Sequence, residues 1–405
     1  MRLDLPETSG PWFTTRRLRT HAAILLIVMW AGFAWDYAVP GLRDRAGQIK
    51  GADFLHLYTI GTLARERRGS DLYDRQAQEA TMQRLVPEAR GLLFLPLYPP
   101  QVSLLFSWLS RFPYGAAFLL WSLLSASLYG ASCYAVFSCC SNLKADRVTV
   151  ALCVLAYPAF WALITWGQTS ALALACFALA FRASASGQRL LAGLALGCLA
   201  YKPQLGLVVG MVYLLAGEWQ AICGAGLSAG AQLAAGWAFY GTDPLLAWVR
   251  ALGRVSSEMN LLEPRPYLTH CLRTFWSLLL PWPVLSAALY ALTAILALIV
   301  ALRCWRSRAG LDLKFSALLL TTVLVSPHLT VYDLVILAPA LMLLANRAAA
   351  SRDTVLRRLL YGVCLLPLFG LLTRWTHLQL SVIAMAALLA WITRTCAGRS
   401  LEPAV

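Results

Sequence analysis

The sequence predicts an all-α protein that crosses a membrane many times, and three observations carry that expectation. Of the 405 residues, 59% are hydrophobic and 13% charged. The apolar residues come in long blocks, such as 148–183 and 283–302. Arginines collect in the short stretches between blocks. A soluble chain carries roughly 25% charged and about 45–50% apolar residues. About 20 apolar residues, rising 1.5 Å each, span the hydrocarbon core. Lipid offers the backbone no hydrogen-bond partner, so spanning segments are helices or closed barrels, and blocks apolar on every side point to helices.

Block lengths place about twelve spans, near 21–39, 114–139, 148–166, 169–182, 189–201, 203–216, 221–240, 283–302, 315–326, 331–346, 357–373 and 378–393. Arg16, Arg17 and Arg19 precede the first block, which ends in Trp35, Tyr37 and Pro40 rather than in a small-residue cleavage site. An uncleaved first span is expected, with the amino terminus in the cytoplasm. Inward loops then hold Lys144 and Arg147; Arg182 and Arg189; Arg303, Arg306, Arg308 and Lys314; and Arg347, Arg352, Arg357 and Arg358. Arg394 and Arg399 fall in the tail, whereas the short outward loops hold only Lys202 and Arg374. This asymmetry puts both termini in the cytoplasm; the long outward loops, 40–113 and 241–282, also contain many arginines, but long loops translocate largely regardless of charge.

Two long outward loops, 40–113 and 241–282, complete one integral membrane domain spanning 1–405. Residues 98–112, 243–256 and 268–280 are too short to cross comfortably and are expected to lie as helices at the outer interface. Trp248 and Trp276 suit that depth. No repeat or soluble domain of useful size is evident.

The net charge of +15 does not indicate nucleic acid, because spread arginines orient a membrane protein and attract anionic lipid. The eleven cysteines include one tight pair, Cys139–Cys140, and no CxxC spacing, so neither a disulfide framework nor a zinc site is expected.

With this topology the unusual polar residues fall on one side. The first outer loop carries Asp53-Phe54, His56, Tyr58, Leu72-Tyr73-Asp74 and Tyr98-Pro99-Pro100. Gly167-Gln168, Lys202-Pro203-Gln204, Arg265, His270, Ser326-Pro327-His328, Tyr332-Asp333, Arg374 and His377 follow at outward turns. Ionisable groups at membrane depth are costly and mark a site by default.

The order Asp-Phe-x-x-x-Tyr, Leu-Tyr-Asp, Tyr-Pro-Pro, Gly-Gln, Lys-Pro and Ser-Pro-His resembles glycosyltransferase family 87 over about residues 20–395. These membrane enzymes have the GT-C fold and use polyprenyl-phosphate-mannose as donor. Family members often carry Asn shortly after Gly-Gln, where Thr169-Ser170 stand here. The resemblance implies that a first-loop carboxylate, Asp53, is the general base, since a sugar hydroxyl attacks well only as a positioned base takes its proton. The plainer role for Asp53 is to cap the helix beginning at Phe54.

His328 is the second catalytic candidate, steadying negative charge on a departing lipid phosphate. Lys202, Arg374 and Arg265 are further phosphate candidates, although Lys202 could equally snorkel. His56, Tyr58, Tyr98, Gln168, Gln204, His270, Tyr332 and Asp333 are candidate sugar or acceptor ligands. Asp333 could instead orient His328, and His56 could meet Asp53 on one helix face. No metal or other cofactor is expected.

The expected reaction is inverting transfer of mannose, or a related hexose, from a polyprenyl phosphate to a lipid or glycan acceptor outside a bacterial inner membrane, by a monomer. The rival is a secondary transporter or flippase of lipid-linked sugars, which would place its polar groups near the bilayer centre.

Overall fold

The apolar blocks fold as helices, several of them interrupted. The computed structural model describes residues 14–351 and 353–398; Arg352 and Arg399 of the basic loops lie outside them. Among the described residues no strand forms, only the isolated bridges Arg43–Ile49 and Thr269–Thr330.

The first long helix, α1 (Thr15–Tyr37), leads into a loop and then α2 (Ala52–Arg65), α3 (Arg75–Leu85) and the short α4 (Gln101–Phe106). α5 (Tyr114–Phe137) is followed by α6 (Arg147–Leu155) and α7 (Pro158–Trp166). Next come α8 (Ser170–Ala185), α9 (Arg189–Gly197), α10 (Pro203–Ala216) and α11 (Trp219–Tyr240). The second long loop holds α12 (Thr242–Arg254), the single turn α13 (Met259–Leu262) and α14 (Leu272–Leu279). The chain ends with α15 (Pro283–Arg306), α16 (Leu311–Val325), α17 (Ala338–Ala350), α18 (Thr354–Leu365), α19 (Gly370–Thr376) and α20 (Leu380–Gly398).

Proline sets several of these starts. Pro158, Pro203 and Pro283 each occupy the first turn of a helix, where the missing N–H is no loss and the fixed φ suits helix. Each also bars its predecessor from helical geometry. The break before Pro158 therefore bends the 141–166 stretch by 44°.

Among the described residues six helices are long and apolar enough to cross a membrane, or seven if the bent pair counts as one span. Ser170–Ala185, Arg189–Tyr201 and Pro203–Ala216 are shorter apolar helices. At 1.5 Å per residue, a helix of about 15 residues falls short of a hydrocarbon core of about 30 Å. Length and composition therefore support six or seven crossings and do not confirm the expected twelve.

The first long loop packs into the bundle. α2 is buried from Phe54 to Ala64, and α4 presses so close that a Cβ on Gly61 would sit 2.6 Å from the Phe106 carbonyl oxygen. α9 and α11 are equally close: a Cβ on Gly193 would lie 2.0 Å from the Ala221 oxygen, and one on Gly197 2.3 Å from the Ala225 oxygen. Small residues four apart let two backbones approach to this distance. In the second loop, α12 is tied to the first by Trp248 Nε1, which donates to the Leu97 carbonyl at 3.0 Å.

The bundle has two chemically distinct ends. The end of the bundle where α1 begins carries the ion pairs Arg19–Asp146 (2.9 Å), Arg189–Glu218 (3.2 Å) and Arg347–Asp312 (2.7 Å). The carboxyl end of α1 meets Gly51 through Tyr37, and the turns that carry Gln168 and Lys202 gather there with Asp53.

Candidate active site

Asp53 sits in the first turn of α2 but does not cap it. The cap position is Gly51, in left-handed geometry (φ 66°) with no side-chain cap bond. The capping role expected for Asp53 is thus replaced by tertiary bonds: Gln168 Nε2 donates to its Oδ2 at 2.7 Å, and the Tyr332 hydroxyl also bonds the carboxylate.

Gln168 is delivered by a conformation that only glycine holds easily. Gly167 ends α7 at φ 70°, and a Cβ there would lie 2.6 Å from Phe54 Cβ. Its carbonyl accepts from Trp121 Nε1 at 2.9 Å, which fixes the turn. The Tyr98 hydroxyl donates to Gln168 Oε1 at 3.2 Å and lies 3.3 Å from Thr169 Oγ1.

Beneath this half-open layer is a buried ionic one. Lys202 Nζ donates to Asp333 Oδ1 at 2.7 Å and to Ser170 Oγ at 3.0 Å. Ser170 Oγ donates to the same Asp333 oxygen at 2.5 Å. Asp333 Oδ2 accepts from the Thr330 backbone and hydroxyl, closing a capping box. Lys202 is 7% exposed and Asp333 5%. Lys202 therefore does not snorkel. Asp333 does not orient His328, because its oxygens are committed to Lys202, Ser170 and Thr330. Ser170, standing near where family members often carry Asn, is built into this layer.

Burial raises the Asp53 carboxyl to about 6, against the Gln168 and Tyr332 hydrogen bonds and the Lys202 charge, which favour the ionised form. The desolvated carboxylate binds a proton more tightly than a free one.

His56 does not meet Asp53. Its ring stacks on Phe94 and Tyr98, with centroids 5.3 and 6.0 Å away, and neither nitrogen has a partner. Burial lowers its pKa to about 4, so the imidazole is neutral. It offers one donor and one acceptor beside Tyr98.

His328 belongs to a second cluster that sequence reading missed in part. Its Nδ1 lies 2.8 Å from Glu263 Oε1, and Arg273 forms an ion pair with the same carboxylate. Arg273 Nε also donates to the Pro327 carbonyl at 2.5 Å, so the cluster clamps the Ser-Pro-His turn. Burial alone would raise the Glu263 carboxyl, but hydrogen bonds and charge from His328 and Arg273 hold it below its ordinary value. Acids are scarce, with 19 Asp and Glu in the chain, but Glu263 shares its loop with Asp243 and Glu258, so the sequence did not single it out.

The remaining candidates are dispersed. His270 braces the turn instead of opening to a ligand: its backbone N–H donates to the Leu329 carbonyl at 2.7 Å and its Nδ1 lies 2.7 Å from Ser381 Oγ. Burial lowers its pKa to about 4. The Tyr58 hydroxyl is taken by the Phe112 carbonyl at 2.7 Å, remote from the Asp53 network. Gln204 is half-buried in the first turn of α10, and Arg265 and Arg374 are exposed. Among the described residues no group of three or more His, Cys, Asp or Glu could hold a metal.

The structure thus joins Asp53, Tyr98, Gln168, Lys202, Tyr332 and Asp333 in one connected network at one end of the bundle. No curated protein and no solved structure matches the chain. The sequence profile of glycosyltransferase family 87 matches residues 96–327. That stretch contains Tyr98, Gln168, Lys202 and the Glu263–Arg273 pair, and covers more than half of the 405 residues. An all-helical membrane bundle with this profile belongs to glycosyltransferase family 87.

Proposed function

We propose that this membrane glycosyltransferase moves mannose, or a related hexose, from a polyprenyl phosphate to a lipid or glycan acceptor on the non-cytoplasmic face of a bacterial inner membrane. The observation that carries the reading is Asp53: a carboxylate raised to about 6, held by Gln168 and Tyr332, and still partly open at the surface. A base of that strength is ionised at neutral pH yet takes a proton more readily than a free carboxylate.

The acceptor hydroxyl oxygen attacks the anomeric carbon as its proton passes to Asp53. The bond from that carbon to the donor phosphate oxygen breaks, and the electron pair leaves on the phosphate. A single displacement inverts the carbon. His328, fixed by Glu263, and Lys202 steady the charge on the phosphate. Lys202 gives two N–H bonds to Asp333 and Ser170, which leaves its third for an incoming anion. Neutral His56 and Tyr98 supply hydroxyl-binding groups beside the base.

Family membership and the position of the polar groups at helix ends, not mid-helix, both weigh against the transporter reading. Purified protein given polyprenyl-phosphate-mannose and acceptor extract should transfer sugar, and Asp53→Asn should abolish transfer with expression intact. Undiminished transfer by Asp53→Asn would remove the proposed base.

A further inference from the structure

At the end of the bundle where α1 begins, far from Asp53, lies an apolar cavity. It holds about 310 Å³ between the amino-terminal half of α1, α6, α17 and α18, with Leu25, Val150, Ala345 and Leu360 among its apolar walls. It exists because α1 leans on α6 and α7, with Trp30 Nε1 on the Leu155 carbonyl and Trp161 Nε1 on the Met29 carbonyl. Towards α18, α1 makes an edge contact between His21 and Tyr361, centroids 6.4 Å apart.

The charges in the wall do not cancel. Asp146 is already neutralised by Arg19, which reaches both its oxygens at 2.9 and 3.0 Å. Arg357 also lines the cavity and is 9% exposed. Its Nη2 donates to the Ala348 and Ser351 carbonyls at 3.1 and 2.6 Å, and among the described residues no carboxylate pairs with it. A buried cation without a counter-ion is costly unless an anion joins it. Exposed Arg147 and Arg358 flank the same region. A chamber with apolar walls does not hold water well, so its contents should be apolar with an anionic end.

We propose that this cavity binds one acyl chain of an anionic phospholipid from the adjoining leaflet, with the phosphate at Arg357. Such a lipid would fill the gap that α1 leaves and tie that helix to α18. A small soluble anion would satisfy Arg357 but leave the chamber empty, and a zwitterionic lipid would fill the chamber but bind Arg357 less well.

The test uses the full chain in detergent, with phosphatidylglycerol and phosphatidylcholine of identical acyl chains as probes in native mass spectrometry. One phosphatidylglycerol should be retained roughly fivefold more strongly than phosphatidylcholine, as one added arginine contact with an anionic lipid supplies. Ala345→Phe, which fills the chamber, and Arg357→Met should both abolish the preference. Equal retention of the two lipids, or full retention by Ala345→Phe, overturns the proposal. Wild-type protein should also be labelled by an acyl-diazirine phosphatidylglycerol on α1, α17 or α18, whether or not either variant folds. Labelling confined to other helices overturns the site, as does finding the chamber filled by the chain's own residues.

Discussion

Lys202 Nζ lies 2.7 Å from Asp333 Oδ1, and both side chains are less than a tenth exposed. Removing one member strands the other as a buried, uncompensated charge. Lys202→Met should therefore cost about 3–5 kcal/mol of stability. The double variant Lys202→Met with Asp333→Leu should recover much of that loss, because two charges leave together. Unfolding in detergent followed by tryptophan fluorescence would check both. Equal damage in the single and double variants would show that the pair is not coupled.

Asp53 sets a pH dependence whose sign can be worked out. Its carboxyl rises from 3.8 to about 6, so the rate should fall about tenfold per pH unit below 6 as the base protonates. Gln168 donates to the carboxylate and favours its ionised form, so Gln168→Leu should shift this acidic limb to higher pH. A pH profile of kcat/KM for the two proteins reads the shift directly. An unmoved limb would mean that another group governs it.

The same shift affects stability in the opposite sense. The folded state holds the Asp53 proton more tightly than the unfolded chain does. Its contribution is therefore most favourable below pH 3.8, declines as pH rises through 6, and costs at most about 3 kcal/mol above that. Asp53→Asn should accordingly unfold later than the unsubstituted protein at pH 8 but not at pH 4. Thermal scans at the two pH values would show the difference.

Glu263 should matter to His328 without touching substrate. Glu263→Gln keeps the shape but removes the charge that holds the imidazole and Arg273. Charge-assisted hydrogen bonds contribute about 1.5–3 kcal/mol, so kcat should fall roughly 10- to 100-fold. Because only the phosphate end of the reaction is affected, kcat should fall while the Asp53 limb of the pH profile stays. Loss of protein stability with an unaltered kcat would reduce Glu263 to a structural brace.

Gly167 and Gly187 make a matched pair. Both have left-handed backbones, with φ of 70° and 73°. A Cβ on Gly187 would meet nothing within 4 Å, but one on Gly167 would strike Phe54 at 2.6 Å. Alanine at either position pays about 1–2 kcal/mol for the backbone. Only Gly167→Ala should also displace Phe54 and so move Asp53, which is the next residue. Transfer should drop at least tenfold for Gly167→Ala and stay near normal for Gly187→Ala. Activity assays normalised to folded protein would separate the two.

Helix identity was readable in the apolar blocks because it depends on local composition, although the polar helix α3 was not expected; the proline breaks at 158, 203 and 283 are local too. The candidate residues Asp53, Gln168, Lys202, Tyr332 and Asp333 were also visible, since polar groups stand out against apolar blocks. Two expectations misled, for one reason. Spacing on a helix suggested that His56 would face Asp53, and sequence adjacency suggested that Asp333 would orient His328. In the folded chain Gln168 from one turn and Tyr332 from another reach Asp53 first, and Lys202 takes Asp333.

Composition alone decided that this protein is a bundle of apolar helices, because lipid acts on each segment separately. Which polar group partners which, and that Glu263 rather than Asp333 holds His328, was decided only when segments distant in sequence packed together. A hydrogen bond depends on positions within a few tenths of an ångström, and no pattern along one strand of sequence contains the distances between helices.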